Sequence, residues 1–141
     1  MTKKKGFTLV EILITIIVMA VLAGIALPSF QRSITRSEAL QAISYLRVIR
    51  AAEKTHFAKW KTYVAAGNTA AIKTQLTVDA GGTKNYFFDV TTPTTTTFLA
   101  RARNGSAPVS CATAANTFCL DQAGAWTGNS NYLPPATFRE P

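Results

Sequence analysis

A single carboxylate lies inside the longest apolar stretch of the sequence. Glu11 is the only charged residue between Phe7 and Phe30. A charged group on an apolar helix costs about 2.5–3.5 kcal/mol at the centre of a bilayer and less near its surface, which makes such a residue a candidate for function. Because Glu11 lies near one end of the stretch, we do not expect it deep in lipid. The alternative is a first-turn acid that the helix dipole stabilises.

Two cysteines, Cys111 and Cys119, are the second group of reactive side chains. An even number of cysteines behind an export-type N-terminus indicates one disulfide formed outside the cytoplasm. That bond would close a loop of nine residues, for which the chain-entropy model gives about 2.5 kcal/mol. A metal pair or reactive thiols lack support, because no histidine lies nearby and the sequence has no Cys-x-x-Cys pattern.

The patterns that would indicate an enzyme are missing. His56 is the single histidine, and the sequence has no Gly-rich phosphate loop, paired-carboxylate motif or Ser/His arrangement. We therefore expect no enzymatic activity, no cofactor and no metal site. The scattered Asp79, Asp89 and Asp121 leave a calcium site as a weak alternative.

Basic residues outnumber acidic ones, by 15 to 7, for a net charge of +8. Three of the lysines lie in residues 1–6, and without them the balance is 12 against 7, or +5. This excess allows weak binding of DNA, and Lys59, Trp60 and Lys61 could combine charge with base stacking. A tryptophan at the end of a core helix is more often a packing residue, and we expect that role for Trp60.

One long helix, from about Phe7 to about Phe57, is predicted to carry most of these groups. Its apolar part, residues 7–30, would be about 36 Å long and could cross a hydrocarbon core of about 30 Å. Pro28 cannot donate to the carbonyl of Gly24, so we expect a kink or local opening there. From Gln31 onward the helix is predicted to be amphipathic. Its apolar face comprises Ala42, Tyr45, Leu46, Ile49 and Ala52, with Arg47, Arg50 and Lys54 on the opposite side.

After Trp60 the pattern changes to that of a small antiparallel sheet. Residues 61–84 are predicted to connect the long helix to the sheet, with a short helix near Ala70 to Leu76. Turns are expected at Thr92-Pro93-Thr94 and at Asn104-Gly105. The strand candidates are residues 85–91, 95–102, 116–121 and, more weakly, 124–127. Short consecutive strands favour a meander packed on the apolar face of the helix, and hence an α+β fold.

The segment Gly6-Phe7-Thr8-Leu9-Val10-Glu11, behind a basic leader and ahead of a long apolar run, resembles the prepilin motif of type IV pilins. Relatives of that family include type II secretion pseudopilins and competence pilins. The resemblance implies the pilin fold and four regions. These are a leader peptide (1–6), a transmembrane and filament-core half of the helix (7–30), its amphipathic half (31–60), and a globular head with the sheet and a C-terminal disulfide loop (61–141).

The resemblance also implies a sequence of events for the chain. A prepilin peptidase would cut between Gly6 and Phe7 and methylate the new amine of Phe7. The precursor would lie in the bacterial inner membrane and then join identical or related subunits in an extracellular filament. There, Glu11 would pair with the Phe7 amine of a neighbouring subunit, and the helix would unwind near Gly24 and Pro28.

Three other interpretations remain open. An ordinary secretory signal could end near Ala23 or Ala26, although an acid at its start and a helical pattern beyond Arg32 argue against it. A type II secretion pseudopilin is less favoured, because its major form typically has a calcium loop where this chain has a cysteine pair. A DNA-binding minor or competence pilin is the third alternative.

Overall fold

The computed structural model describes residues 6–81, 83–91, 93–105, 110–111, 116–129 and 131–134. These residues form helix α1 (Leu9–Trp60), helix α2 (Thr69–Leu76) and strands β1 (Tyr86–Thr91), β2 (Leu99–Asn104), β3 (Thr117–Asp121) and β4 (Trp126–Asn129). The predicted α+β class, with a long N-terminal helix and a small antiparallel sheet, is confirmed. The chain divides into two units, residues 1–35 and 36–141, and α1 contributes to both.

In the first unit, α1 exposes all of its large apolar side chains. Every residue from 6 to 35 is exposed, and the large apolar ones include Ile12, Val18, Leu22 and Phe30. Among the described residues, α1 is the one helix that is long and apolar enough to cross a membrane. An apolar surface of this length needs lipid or another protein to cover it.

In the second unit, α1 buries a stripe that includes two charged residues. Ala42, Leu46 and Ile49 are buried as predicted. The assignment of Arg50 to the opposite side is wrong, because Arg50 is only 7% exposed and its Nη2 donates to the Gln122 carbonyl at 3.4 Å. Arg50 follows Leu46 by four residues and therefore lies on the same face. The complete buried set is Ala39, Ala42, Ile43, Leu46, Ile49, Arg50 and Glu53.

The four strands form one antiparallel sheet in the order β1-β2-β3-β4, which is the predicted meander. Strand β2 begins later than predicted because Thr94 to Thr97 form a turn. The Thr94 hydroxyl oxygen accepts hydrogen bonds from the backbone nitrogens of Thr96 and Thr97, at 3.1 and 2.8 Å. Of the hairpin turn expected at residues 92–94, Thr92 lies outside the described residues.

Strand β4 also begins later than predicted. Gly124 was expected in this strand, but it has a φ of +83° and lies in the turn after β3. In that turn, the Gly124 nitrogen donates to the Asp121 carbonyl at 3.1 Å. The expected turn after β2 is present at Gly105, whose φ of +102° favours glycine.

The hydrophobic core of the second unit lies between α1 and one face of the sheet. Phe88, Phe118 and Leu120 are fully buried there. The Phe88 ring meets Tyr45 of α1 edge-on, with 5.6 Å between the ring centroids. The short helix predicted near Ala70 to Leu76 is present as α2, and it adds Ile72 and Leu76 to the same core.

Candidate functional site

The peptide bond between Gly6 and Phe7 lies just before α1 and is accessible. Phe7 is 78% exposed, and neither residue is helical. No heavy atom lies within 4 Å of the position that a Cβ on Gly6 would occupy. The chain itself therefore has room for a side chain at position 6, and any requirement for glycine would come from whatever binds this segment.

Thr8 caps α1. Its hydroxyl oxygen accepts a hydrogen bond from the Glu11 nitrogen at 3.2 Å, and its carbonyl accepts from the Ile12 nitrogen at 3.3 Å. Threonine followed three residues later by glutamate is the capping-box pattern, and such an N-cap contributes about 1 kcal/mol. The sequence analysis missed this role, although the Thr-x-x-Glu spacing was readable in the motif itself.

The side chain of Glu11 is exposed in the first turn of α1. Within the described part of the chain, its carboxylate has no hydrogen-bonding or ion-pair partner. Its backbone nitrogen is satisfied by Thr8, so capping uses the main chain of Glu11 and leaves its charge available. The first-turn position also suits an acid, because the helix dipole is positive there.

Helix α1 continues through Gly24 and Pro28 without interruption. Pro28 has no backbone N–H, so the Gly24 carbonyl lacks its usual helical donor. The opening of this stretch therefore stays a prediction for the assembled state. Elsewhere in the apolar part, the Thr15 hydroxyl donates to the Ile12 carbonyl at 2.7 Å, so this polar group needs no partner from lipid.

Glu53 is a second carboxylate of note, and the sequence analysis missed it. It is fully buried, and its Oε2 accepts a hydrogen bond from the Val64 nitrogen at 3.0 Å. Burial raises the pKa of Glu53, while the bond from Val64 and the nearby His56 act in the opposite direction. The contact ties the last turns of α1 to the segment that leads to α2. Glu53 follows Arg50 by three residues, so the two lie near one face of α1, and this spacing was the signal for Glu53 in the sequence.

The aspartates that could have suggested a calcium site pair with basic side chains or are separated from one another in the described residues. Asp89 is buried between Arg101 and Arg103, with its Oδ1 at 3.2 and 3.4 Å from their Nε atoms. Asp79 forms an ion pair with Lys73 at 2.7 Å. Among the described residues, no group of three His, Cys, Asp or Glu side chains could hold a metal ion.

The predicted disulfide is present between Cys111 and Cys119. Cys119 is fully buried on β3, opposite Arg101 of β2 and Thr127 of β4. The bond therefore fastens a segment outside the strands to a central strand of the sheet.

The prediction that Trp60 packs against the core is wrong. Predicted to be a packing residue, it is 69% exposed at the end of α1. Its ring lies 6.4 Å from that of His56 on the same helix. Trp60 follows the buried Glu53 by seven residues, which places it near the same helical face, but it is the last residue of α1 and its side chain is exposed.

The N-terminal segment is similar to segments of known proteins. Residues 1–27 match the model of the prokaryotic N-terminal methylation motif. A fimbrial protein of Moraxella nonliquefaciens is 32% identical over 71 residues, which are 50% of this chain and 46% of that protein. The type IV major pilin protein PilA of Myxococcus xanthus is 33% identical over 61 residues, 43% of this chain and 28% of that protein. The N-terminal part of the chain is therefore similar to type IV pilins and fimbrial proteins.

A further relative is the type IV major fimbrial protein FimA of Dichelobacter nodosus, 38% identical over 52 residues, 37% of this chain and 33% of that protein. The chain spans less than half the length of each of these relatives. No solved structure matches it. The motif match contains Gly6, Phe7 and Glu11.

Proposed function

We propose that this chain is a type IV pilin, the structural subunit of a type IV pilus, polymerised through the first half of α1 into an extracellular filament for adhesion, motility or DNA uptake. The observation that carries the proposal is the exposed apolar surface of residues 7–30, with the carboxylate of Glu11 at its start and without a partner among the described residues. Lipid would cover that surface in the bacterial inner membrane, and the same surface of other subunits would cover it in the filament.

Maturation is the first step of this function. A prepilin peptidase would cleave between Gly6 and Phe7 and methylate the Phe7 amine. The exposed, non-helical geometry of both residues supports this step, because a peptidase binds its substrate in an extended form. Removal of residues 1–6 would also remove three lysines, which by the positive-inside rule would have held this end in the cytoplasm.

Assembly is the second step. Apolar helices gain little by leaving lipid for one another, so a specific contact is needed to hold them in register. The charge of Glu11, which capping leaves available, would pair with the Phe7 amine of an adjacent subunit. The helix would open near Gly24 and Pro28 during the same step, where one helical hydrogen bond is already missing.

Glu11→Ala tests the assembly step. Removing one partner of a buried ion pair costs on the order of 3–5 kcal/mol. We expect the variant to be inserted and cleaved after Gly6, with filaments absent or strongly reduced. The variant would be expressed in a strain that lacks the native subunit, with processing followed by intact mass and filaments counted by electron microscopy.

Two further variants separate pairing from capping. Thr8→Val removes the cap but keeps the carboxylate, and it should retain filaments, because losing an N-cap costs only about 1 kcal/mol. Glu11→Gln keeps the shape without the charge and should resemble Glu11→Ala. Normal filament numbers in Glu11→Ala would contradict the pairing, and an N-terminus near Leu27 would contradict the proposed processing.

Two other functions are alternatives. A type II secretion pseudopilin is less favoured, because the chain has a disulfide and, in its described residues, no acidic cluster that could hold calcium. Binding of DNA is favoured by one observation, the exposure of Trp60 between two lysines.

A further inference from the structure

Strand β2 ends at an asparagine that is followed by a glycine. The sequence has six asparagines, and Asn104 is the one that precedes glycine. Asn104 is the last residue of β2, and Gly105 lies in the bend after it, with a φ of +102°. Both residues are exposed. The dipeptide therefore lies at the surface, where the regular structure of the strand stops.

The two groups of this dipeptide that can react with each other are not held by other residues. Among the described residues, none accepts a hydrogen bond from the Gly105 nitrogen, and none bonds the side-chain amide of Asn104. No heavy atom lies within 4 Å of the position that a Cβ on Gly105 would occupy. Because glycine has no side chain, its backbone also turns more freely than that of other residues. Neither group is therefore kept from the other by a hydrogen bond or by crowding.

We propose that Asn104 is a modification site at which the chain deamidates without an enzyme, with water as the co-reactant. The Gly105 nitrogen gives its proton to hydroxide and attacks Cγ of Asn104. A new N–Cγ bond forms, and the Cγ–Nδ2 bond breaks as ammonia leaves with a proton from water. Water then opens the resulting succinimide ring. Hydrolysis of the N–Cγ bond gives aspartate, and hydrolysis of the bond between the same nitrogen and the Asn104 backbone carbonyl carbon gives isoaspartate. No group is oxidised or reduced.

The other asparagines are less suited to this reaction. Asn68 caps α2, and its Oδ1 accepts a hydrogen bond from the Ala71 nitrogen at 2.8 Å. The Asn85 side chain donates to the two carboxylate oxygens of Glu38 at 2.8 and 3.0 Å. All five of the other asparagines are followed by threonine, serine or tyrosine, whose side chains crowd the nitrogen that would attack. Asn104 is therefore expected to react first.

The reaction changes the charge of the chain and leaves the sheet in place. Each event replaces a neutral amide with a carboxylate, so the formal net charge of +8 falls by one. Asn104 pairs with Tyr86 at the end of the β1–β2 ladder, so the longer backbone of isoaspartate displaces the turn and spares the pairs from Phe87 to Thr91. Any long-lived copy of the chain accumulates this charge with age. The proposal does not depend on filament formation.

Incubation of the full chain in non-ionic detergent tests the proposal. Water enriched in heavy oxygen marks by mass every carboxylate that forms during incubation, and peptide fragmentation assigns it to a residue. Labelling by a protein isoaspartate methyltransferase detects the second product. We expect conversion at Asn104 before any other asparagine, at a rate that rises with pH because the attacking nitrogen must lose its proton. The rate should lie within about tenfold of that in the chain unfolded in guanidinium, a difference in barrier below about 1.4 kcal/mol.

Asn104→Gln is the matched control. Glutamine keeps the amide but would have to close a larger ring, so the variant should lose the conversion at position 104. Its melting temperature should equal that of the wild-type chain, because the side chain is exposed. Asn85 serves as an internal control in every sample and should stay unmodified while Asn104 converts.

Two results would overturn the proposal. One is an Asn104 that stays intact in the folded chain while it converts in the unfolded chain, which would show that β2 holds the dipeptide in an unreactive geometry. The other is conversion of Asn68 or Asn85 at the same rate as Asn104, which would show that neither the following glycine nor the unbonded side chain selects the site.

Discussion

The two parts of α1 place their apolar side chains in opposite environments. In residues 9–35 the apolar side chains are all exposed, and the single acid is at the surface of the first turn. In residues 36–60 a stripe of side chains is buried against the sheet, and that stripe includes Arg50 and Glu53. The comparison shows that hydrophobicity alone does not decide burial within one chain. Burial follows from whether the same chain supplies a surface to cover the helix.

The largest expected effect is on the free energy of unfolding, and it compares two leucines, one in each part of α1. Leu46→Ala should lower the free energy of unfolding of residues 36–141 by about 2–5 kcal/mol, because Leu46 is fully buried. Leu22→Ala removes the same atoms from a side chain that is 61% exposed, and it should change that free energy by less than about 0.5 kcal/mol. Urea unfolding of the full chain in detergent measures both, and equal losses would break the distinction between the two parts.

A second, intermediate effect concerns the disulfide of the second unit. Reducing Cys111–Cys119 should lower the free energy of unfolding by about 2.5 kcal/mol, because only a nine-residue loop is released. The sheet should persist, since its ladder hydrogen bonds join the strands directly. Far-ultraviolet circular dichroism of the reduced chain, with the oxidised chain as control, checks this. Loss of the β signal on reduction would show that the disulfide holds the sheet together.

The smallest expected effect is the pH dependence that Glu53 contributes. Because burial raises its pKa above the ordinary value of 4.5, the folded state holds the proton more tightly than the unfolded state. Its stabilising contribution is complete below pH 4.5 and is lost as the pH rises through the folded-state pKa. We therefore expect the melting temperature to fall as the pH rises through the folded-state pKa of Glu53. Glu53→Gln should remove this fall. The difference in melting temperature between the wild-type chain and Glu53→Gln separates the contribution of Glu53 from that of other titrating groups.

Glu38→Gln is the control for that measurement. Glu38 accepts hydrogen bonds from the Asn85 side chain at 2.8 and 3.0 Å at the protein surface, and its substitution should leave the fall in place. A melting temperature of the wild-type chain that rises relative to Glu53→Gln between pH 4.5 and neutrality would contradict the direction predicted for Glu53.

The sequence predicted the elements of the fold better than their edges and contacts. The apolar block, the amphipathic face with Leu46 and Ile49, and the order of the strands all follow from periodicity, which depends on many residues at once. Strand β2 began later than predicted because one hydroxyl, that of Thr94, stabilises a turn. Such a local hydrogen bond is not visible in β propensity.

Charged residues were the main source of error at the candidate sites. Arg50 was placed on the outer side because of its charge, although its spacing from Leu46 places it in the buried stripe. Glu53 was overlooked for the same reason, and its partner, the Val64 nitrogen, lies eleven residues away in a non-helical segment. The exposure of Trp60 does not follow from helical spacing, because Trp60 follows the buried Glu53 by seven residues and is expected on the same face.

The order of the strands has a consequence for how the second unit forms. Every neighbouring pair in the sheet is also consecutive along the chain, so each pairing closes only a short loop. Short loops carry a low entropic cost, and chains dominated by such near-sequence contacts fold rapidly. The sheet can therefore form by successive addition of one strand to the last. A subunit made this way spends little time with unpaired strand edges, the state in which β chains aggregate.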